Sequence, residues 1–240
     1  MTPVRRYEEL DSTNSEAARL AQAGEAGPLW LVAQRQTAGR GRRGRAWQGD
    51  PRNLAATLLM TTAQPPAEAA RTAFVAALAA ADMIGAFAPA GRVTLKWPND
   101  VLIGGAKACG VLIETGAAPQ GGLWMAIGVG ANLAAAPADT PYPATSLAAH
   151  GAAPSPNDAL AALDAAFLHW STVARTEGFE PIRHEWMARA QGLGQACTVS
   201  FGDRTVTGVN DGLDSDGALL LRIGAARQRI TAGDVIFGGV

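Results

Sequence analysis

The sequence predicts an α+β protein: a helix-flanked, largely antiparallel sheet followed by a small all-β module. Three observations point there. Four apolar runs, VTLKW at 93–97, DVLI at 100–103, CGVLIE at 109–114 and LWMAIGVG at 123–130, succeed one another closely, and strands so near in sequence pair antiparallel. Long helices are expected over an alanine-rich stretch at 67–88 and again near 158–177 and 181–190. From Gly192 the chain breaks into CTVSF, RTVTGV, ALLLRI, RQRI and DVIF, divided by Gly, Asp and Asn turns, the pattern of a small barrel.

Taken in order, Ser12, Thr13 and Asn14 offer capping side chains before SEAARLAQAG, whose Ala17, Ala18, Leu20 and Ala21 suit one helical face and which ends near Gly24. A short buried strand is expected at 30–33 and the next at 54–60, joined by a loop rich in glycine and arginine. After the four central strands, residues 134–156, rich in Ala, Pro, Thr and Ser, form a loop. A loop of that length is either a segment that orders on ligand binding or a mobile connector. The expected domains are 1–191 and 192–240. The second is marginal as an independent core, so it should pack against the first.

Composition narrows the function. With 240 residues, 48% hydrophobic, the chain can bury a substantial core. A net charge of −1 excludes the global basicity of a protein that coats nucleic acid. Cys109 and Cys197 are the only cysteines and neither is in a CxxC arrangement, which argues against a disulfide framework or zinc site and for a reducing cytoplasm. MTPVRRYEELDSTN lacks the apolar centre of a signal peptide, and 67–88 is interrupted by Glu68, Arg71 and Asp82, so no membrane span is expected. His150, His169 and His184 lack metal-ligand spacing.

The most informative segment is GRGRRGR at 39–45. Between Glu25 and Asp50 there is no acid, while Arg35, Arg40, Arg42, Arg43 and Arg45 all fall there. Glycine removes side-chain obstruction, so guanidinium and bare N–H groups can reach one phosphate. A solvated basic loop is the plainer alternative. Gly39, Gly41 and Gly44 satisfy GxGxxG, but WQGDPRN and then a strand follow where a dinucleotide-binding unit needs a helix.

STN at 12–14, QTAGRGRRGRAW at 36–47, KWPNDV at 96–101, KACGVLIE at 107–114 and GVGANL at 128–133 together resemble the biotin protein ligase family, from about Tyr7 to the C-terminus. The resemblance implies a class II aminoacyl-tRNA synthetase-like catalytic domain with a mixed sheet, followed by an SH3-like barrel. It implies a reaction in two steps: biotin and ATP give biotinyl-5′-AMP and pyrophosphate, then the biotinyl group passes to a lysine of a biotin carboxyl carrier protein. A carboxylate is a poor acylating agent, and the mixed anhydride supplies the leaving group.

By resemblance, Ser12, Thr13, Asn14 and Gln36 line the biotin pocket, with hydroxyls and amides for the ureido group. Arg40, Gly41 and Arg42 clamp the phosphates and the reacting carboxylate, the glycine N–H being free to donate. Lys107, in a loop between two strands, sets a positive charge beside the carboxylate and α-phosphate. Arg45, Trp47, Asn99 and Asn132 belong with the adenylate; Arg43 is a solvated neighbour. Asp100, in the turn after Pro98, is the candidate for the second half-reaction, because the acceptor lysine, with an ordinary pKa of about 10.4, must lose a proton. Lys96 and Trp97 are read as structural.

Mg²⁺ is expected with ATP, bound through few protein ligands. The expected partner is a carboxyl carrier domain of an acyl-CoA carboxylase; homodimers occur in the family, and neither membrane nor nucleic acid is expected. About a dozen residues precede STN, too few for the helix-turn-helix reader of some members, so a monofunctional ligase is expected. Ala106 and Ala131 depart from the family pattern without removing a chemical group. The runner-up enzyme is a lipoate or octanoate ligase or transferase. From another class, the Gly/Arg loop with Trp47 could bind single-stranded nucleic acid.

Overall fold

A computed structural model describes residues 1–47, 49–88, 93–202 and 204–237. The expected α+β layout is present, with one 7-stranded sheet and one 5-stranded sheet. The first runs β1 (Val4–Leu10), β2 (Leu29–Gln36), β3 (Leu54–Thr62), β7 (Leu123–Ala131), β6 (Ala106–Ala117), β5 (Asp100–Ile103), β4 (Val93–Lys96) in spatial order. Every neighbouring pair is antiparallel except β1 and β2. Strand β1 was not expected from its sequence, VRRYEEL, which has no apolar run; it is an edge strand with a mostly exposed pattern.

On one face lie α3 (Thr72–Gly85), α4 (Pro156–Glu177) and α5 (Phe179–Ala188), packed over a core that includes Trp30, Leu58, Leu78, Ile84, Val101 and Ile127. The single helix expected over 67–88 is instead α2 (Pro66–Ala69) and α3. The chain tightens between them into i→i+3 bonds, Ala73 N donating to Ala70 O (3.1 Å) and Phe74 N to Arg71 O (3.0 Å). Alanine favours helix but says nothing about where the axis turns, and here the turn brings Arg71 to Asp216 (2.7 Å) and over the Phe179 ring. A Ser155 capping box starts α4.

Among the described residues, the opposite face carries α1 (Thr13–Gln22) and loops. Ser12 is its N-cap, yet no side chain caps it; the STN side chains are turned to other work. Pairing Thr57 with Gly128 and Gly128 with Leu112, and Ala55 with Gly130 and Gly130 with Gly110, puts small residues in rows across this face. That leaves a floor on which side chains and a ligand can lie.

The C-terminal sheet orders β11 (Ala226–Ile230), β10 (Leu219–Ile223), β9 (Thr205–Leu213), β8 (Ala196–Ser200), β12 (Asp234–Phe237), all antiparallel. It packs onto the first sheet's helices: its Leu213, Leu219 and Val235 share one core with Phe74 and Trp186. The turn at Gly217 makes the junction. Its carbonyl accepts from the Trp97 ring N–H (3.1 Å), and a Cβ there would lie 2.5 Å from the Phe74 ring at a φ of +88°. No described helix is long and apolar enough to cross a membrane.

Candidate active site

A cavity of about 600 Å³ opens on the α1 face of the sheet, lined from Ser12 to Asn14, by the 36–47 loop, KWPND, Lys107, the small residues of β6 and β7, Tyr142, and Asp234 to Phe237 of β12. Of the residues expected at the site, Ser12, Thr13, Asn14, Gln36, Arg40, Gly41, Arg42, Arg45, Trp47, Asn99, Asp100 and Lys107 all line it. The size suits a drug-sized ligand or larger.

One end is neutral and buried. Thr13 donates to Gln36 Oε1 through its backbone N–H (2.8 Å), and its hydroxyl, free to donate to Thr57, lies 3.2 Å from the same oxygen. Thr57, fully buried on β3, meets Thr13 Oγ1 at 2.7 Å and Asn14 Oδ1 at 2.6 Å. The Asn14 amide donates to Glu114 (2.8 Å) and to Leu112 O (3.3 Å). Gly128 makes this possible, because a Cβ there would come within 2.3 Å of Asn14 Oδ1. Neither Thr57 nor Glu114 was picked out from sequence: each is an ordinary strand residue until the register puts it under α1.

The other end is charged. The 39–47 segment closes on itself as a small hairpin, Gly41 N donating to Arg45 O (2.7 Å) and Trp47 N to Gly39 O (2.9 Å). The Gly41 N–H is therefore occupied, contrary to the expectation that it is free for a phosphate. Arg43 takes a φ of 57° at the tip. Every arginine of the segment has a carboxylate partner far away in sequence. Arg40 donates to Glu114 (2.8 and 3.0 Å) and to Ser15 Oγ (2.6 Å). Arg42, Arg43 and Arg45 converge on Asp234 of β12 at 3.3, 3.2 and 3.0 Å. Arg42 also donates to Asn99 Oδ1 (3.3 Å) and Gly233 O (3.1 Å), and burial pulls its pKa below the ordinary arginine value. Arg43 is thus a partner of the barrel rather than a solvated neighbour.

Lys107 lies on β6 itself, not in a loop, with its Nζ 2.6 Å from Asp100 Oδ1 and 5.5 and 5.2 Å from the Trp47 and Tyr142 ring centroids. Lys96, read as structural, lines the cavity and sits 3.4 Å from Asp100 Oδ2. Asp100 opens β5 and stands between two ammonium groups, a short charge-assisted arrangement. Trp47 lies across the glycine floor: a Cβ on Gly130 would be 2.3 Å from its ring. Tyr142 comes from the 134–156 loop, which β6 holds through Lys107 N to Pro143 O (2.8 Å) and Thr145 N to Lys107 O (2.9 Å). Asn53 Oδ1 anchors the entry to the loop, accepting from the N–H groups of Leu133, just before it, and of Ala134 and Ala135.

Asn132, expected beside the adenylate, is not brought into the lining. It is buried behind the loop, donating to Thr145 O (3.1 Å), and its Oδ1 has no protein partner among the described residues.

Family comparison gives this geometry its context. Residues 8–132 match the Biotin/lipoate A/B protein ligase family and residues 192–238 the Biotin protein ligase C terminal domain. The chain is 43% identical over 237 residues to a biotin--[acetyl-CoA-carboxylase] ligase of Paracoccus denitrificans, covering 95% of this chain and 98% of the relative. The chain belongs to the biotin protein ligase family. The bifunctional ligase/repressor BirA of Bacillus subtilis is 31% identical, the match covering 97% of this chain and 73% of that protein. The biotin protein ligase of Aquifex aeolicus, solved with biotin and ATP, superposes with a TM-score of 0.83 at 24% identity, over 98% of both chains. That likeness supports the α+β ligase fold with its SH3-like C-terminal module.

Proposed function

We propose that this biotin protein ligase activates biotin with ATP to biotinyl-5′-AMP, releasing pyrophosphate, and transfers the biotinyl group to a lysine of a biotin carboxyl carrier protein. One observation carries the reading: a single cavity has a neutral amide and hydroxyl cluster at one end, and Arg40, Arg42, Arg45, Lys96 and Lys107 at the other. That polarity suits a molecule with an uncharged ureido head and a carboxylate tail that must meet a triphosphate. Residues 1–191 form the catalytic unit in this reading and 192–240 the barrel.

Thr13, Gln36 and Ser12 hold the head group, Asn14 shaping the wall beside it. In the first step a biotin carboxylate oxygen attacks the α-phosphorus and pyrophosphate leaves. Two anions must approach each other, and Lys107 and Arg42, both shielded from solvent so that charge acts strongly, offset their repulsion together with the more exposed Arg40. Trp47 and Tyr142 flank the Lys107 ammonium and keep water from it. Asn132, buried outside the lining and bonded to Thr145 O, has no contact with the adenylate in this reading.

In the second step the carrier amine attacks the acyl carbon, AMP leaves, and the amine's proton must go. Asp100 takes it in this reading: once Lys107 turns to the phosphate, Asp100 Oδ1 is open to an incoming ammonium. Mg²⁺ fits the donor set as a water-rich ion carried on the nucleotide, because the lining carboxylates Asp100 and Asp234 are already paired and no described cluster of three His, Cys, Asp or Glu could hold a metal. When bound it neutralises phosphate charge. The two buried free thiols, Cys109 and Cys197, suit a reducing cytoplasm.

The test is acceptor labelling. An apo carrier domain of an acetyl-CoA carboxylase, incubated with the protein, biotin and ATP, is expected to gain one biotinyl mass on a single lysine. Labelling by lipoate instead of biotin, or labelling without ATP, contradicts the proposal.

A further inference from the structure

Glu114 joins the two ends of the cavity without lining it. A continuous hydrogen-bonded chain runs from Gln36 through Thr13, Thr57 and Asn14 to Glu114, and from Glu114 to Arg40 and Ser15. Both residues that Glu114 touches, Asn14 and Arg40, line the cavity, while Glu114 and Thr57 stand behind them. Glu114 reaches that position because β6 alternates: Gly110, Leu112 and Glu114 face α1, opposite Gly130, Gly128 and Ala126 of β7.

We propose that Glu114 is a positioning residue for the activation step, holding the Arg40 guanidinium where the carboxylate and phosphate meet and fixing the Asn14 amide that walls the head-group end. The proposal rests on the ligase reading above. Arg40 has 41% of its side chain exposed, so without an anchor it would explore many rotamers and lose that freedom on each encounter with substrate. Glu114 and Ser15 each engage a terminal nitrogen, and Nε, which has no partner among the described residues, stays available to an anion. The Asn14 amide spends its donors on Leu112 O and Glu114 and accepts from Thr57. Its orientation is thereby determined, and its part at the head-group end is to hold shape.

Glu114→Gln separates the two contacts, since an amide oxygen still accepts from Asn14 whereas the charge facing Arg40 is gone. The experiment is a double-mutant cycle on biotin-dependent pyrophosphate exchange, with thermal unfolding run on every variant. Glu114→Gln is expected to lower the exchange kcat about tenfold and to move the biotin KM less than twofold. In an Arg40→Ala background the same change is expected to alter kcat less than twofold, because the residue it acts through is gone. Glu114→Ala is expected to raise the biotin KM as well, and Glu114→Gln to unfold within a few degrees of wild type. Equal, multiplying losses in both backgrounds, or a loss that tracks unfolding, overturn the role of Glu114. Silent exchange in the wild type would instead overturn the ligase reading itself.

Discussion

Under α1, Ser12, Thr13 and Asn14 are each at most 4% exposed, and Thr13 and Asn14 hydrogen-bond to neutral neighbours and to Glu114. At the opposite end Arg40 and Arg45 keep 41% and 46% of their side chains in solvent and pair with carboxylates. Exposed ion pairs contribute little net stability, so an incoming phosphate can displace Asp234 from Arg45 at small cost, while Arg40, held by Glu114 and Ser15 together, meets its anion through Nε. A buried neutral network is costly to leave unmade. One end is therefore built to keep its shape and the other to exchange partners. The interior Lys107–Asp100 pair is intermediate, at 14% and 13% exposure.

The largest expected effect is at that intermediate pair. Lys107→Ala should reduce adenylate formation by about a hundredfold or more, while Lys96, 3.4 Å from Asp100, limits the loss of fold stability. Pyrophosphate exchange against the unfolding midpoint checks this; proportional losses of both would make Lys107 structural.

Next is the floor. Gly128→Ala puts a methyl 2.3 Å from Asn14 Oδ1, an overpacking that costs about 1–3 kcal/mol, and should raise the biotin KM by about tenfold with the ATP KM little changed. Gly130→Ala meets the Trp47 ring instead and should weaken ATP more than biotin. Titrating each substrate separately decides whether the two ends are independent.

A smaller pair of changes tests the contrast in stability directly. Thr57→Val removes a buried hydroxyl and leaves Asn14 Oδ1 without its donor, costing about 1–3 kcal/mol of folding stability. Arg45→Gln should cost under about 0.5 kcal/mol, since Arg42 and Arg43 still hold Asp234. Equal shifts in denaturant midpoint would erase the distinction.

The smallest effect is chemical. Burial pushes the Cys109 thiol up to about 12, so the thiolate is scarce at pH 8 and iodoacetamide should label Cys109 only on unfolding. Labelling of the native protein at pH 8 would show that the sheet opens locally.

Much of the site is legible in sequence because its motifs bring cavity-lining groups close together along the chain: the hairpin of arginines, KWPND, and the lysine near the start of β6. What is not legible is their compensation. Arg35, Arg40, Arg42, Arg43 and Arg45 look unpaired across a stretch without acids, yet Glu9, Glu114 and Asp234 answer them from β1, β6 and β12. Local patterning carries no information about such long-range partners. The same holds for Thr57, whose role depends on β3 register, and for Tyr142, carried in by a loop without periodicity. The fold divides similarly. The central strands and α4 follow apolar runs and a capping box, whereas β1, a polar edge strand in parallel pairing, and the turn before α3 depend on what packs against them.

The measurement that tests the central claim most directly is exchange of labelled pyrophosphate into ATP, with biotin, lipoate and octanoate compared as the activating acid. Exchange dependent on biotin and absent with the other two is the expected result, since the neutral end offers the amide and hydroxyl partners a ureido ring needs. Exchange supported equally by lipoate or octanoate, or none from folded protein with any acid, would contradict it.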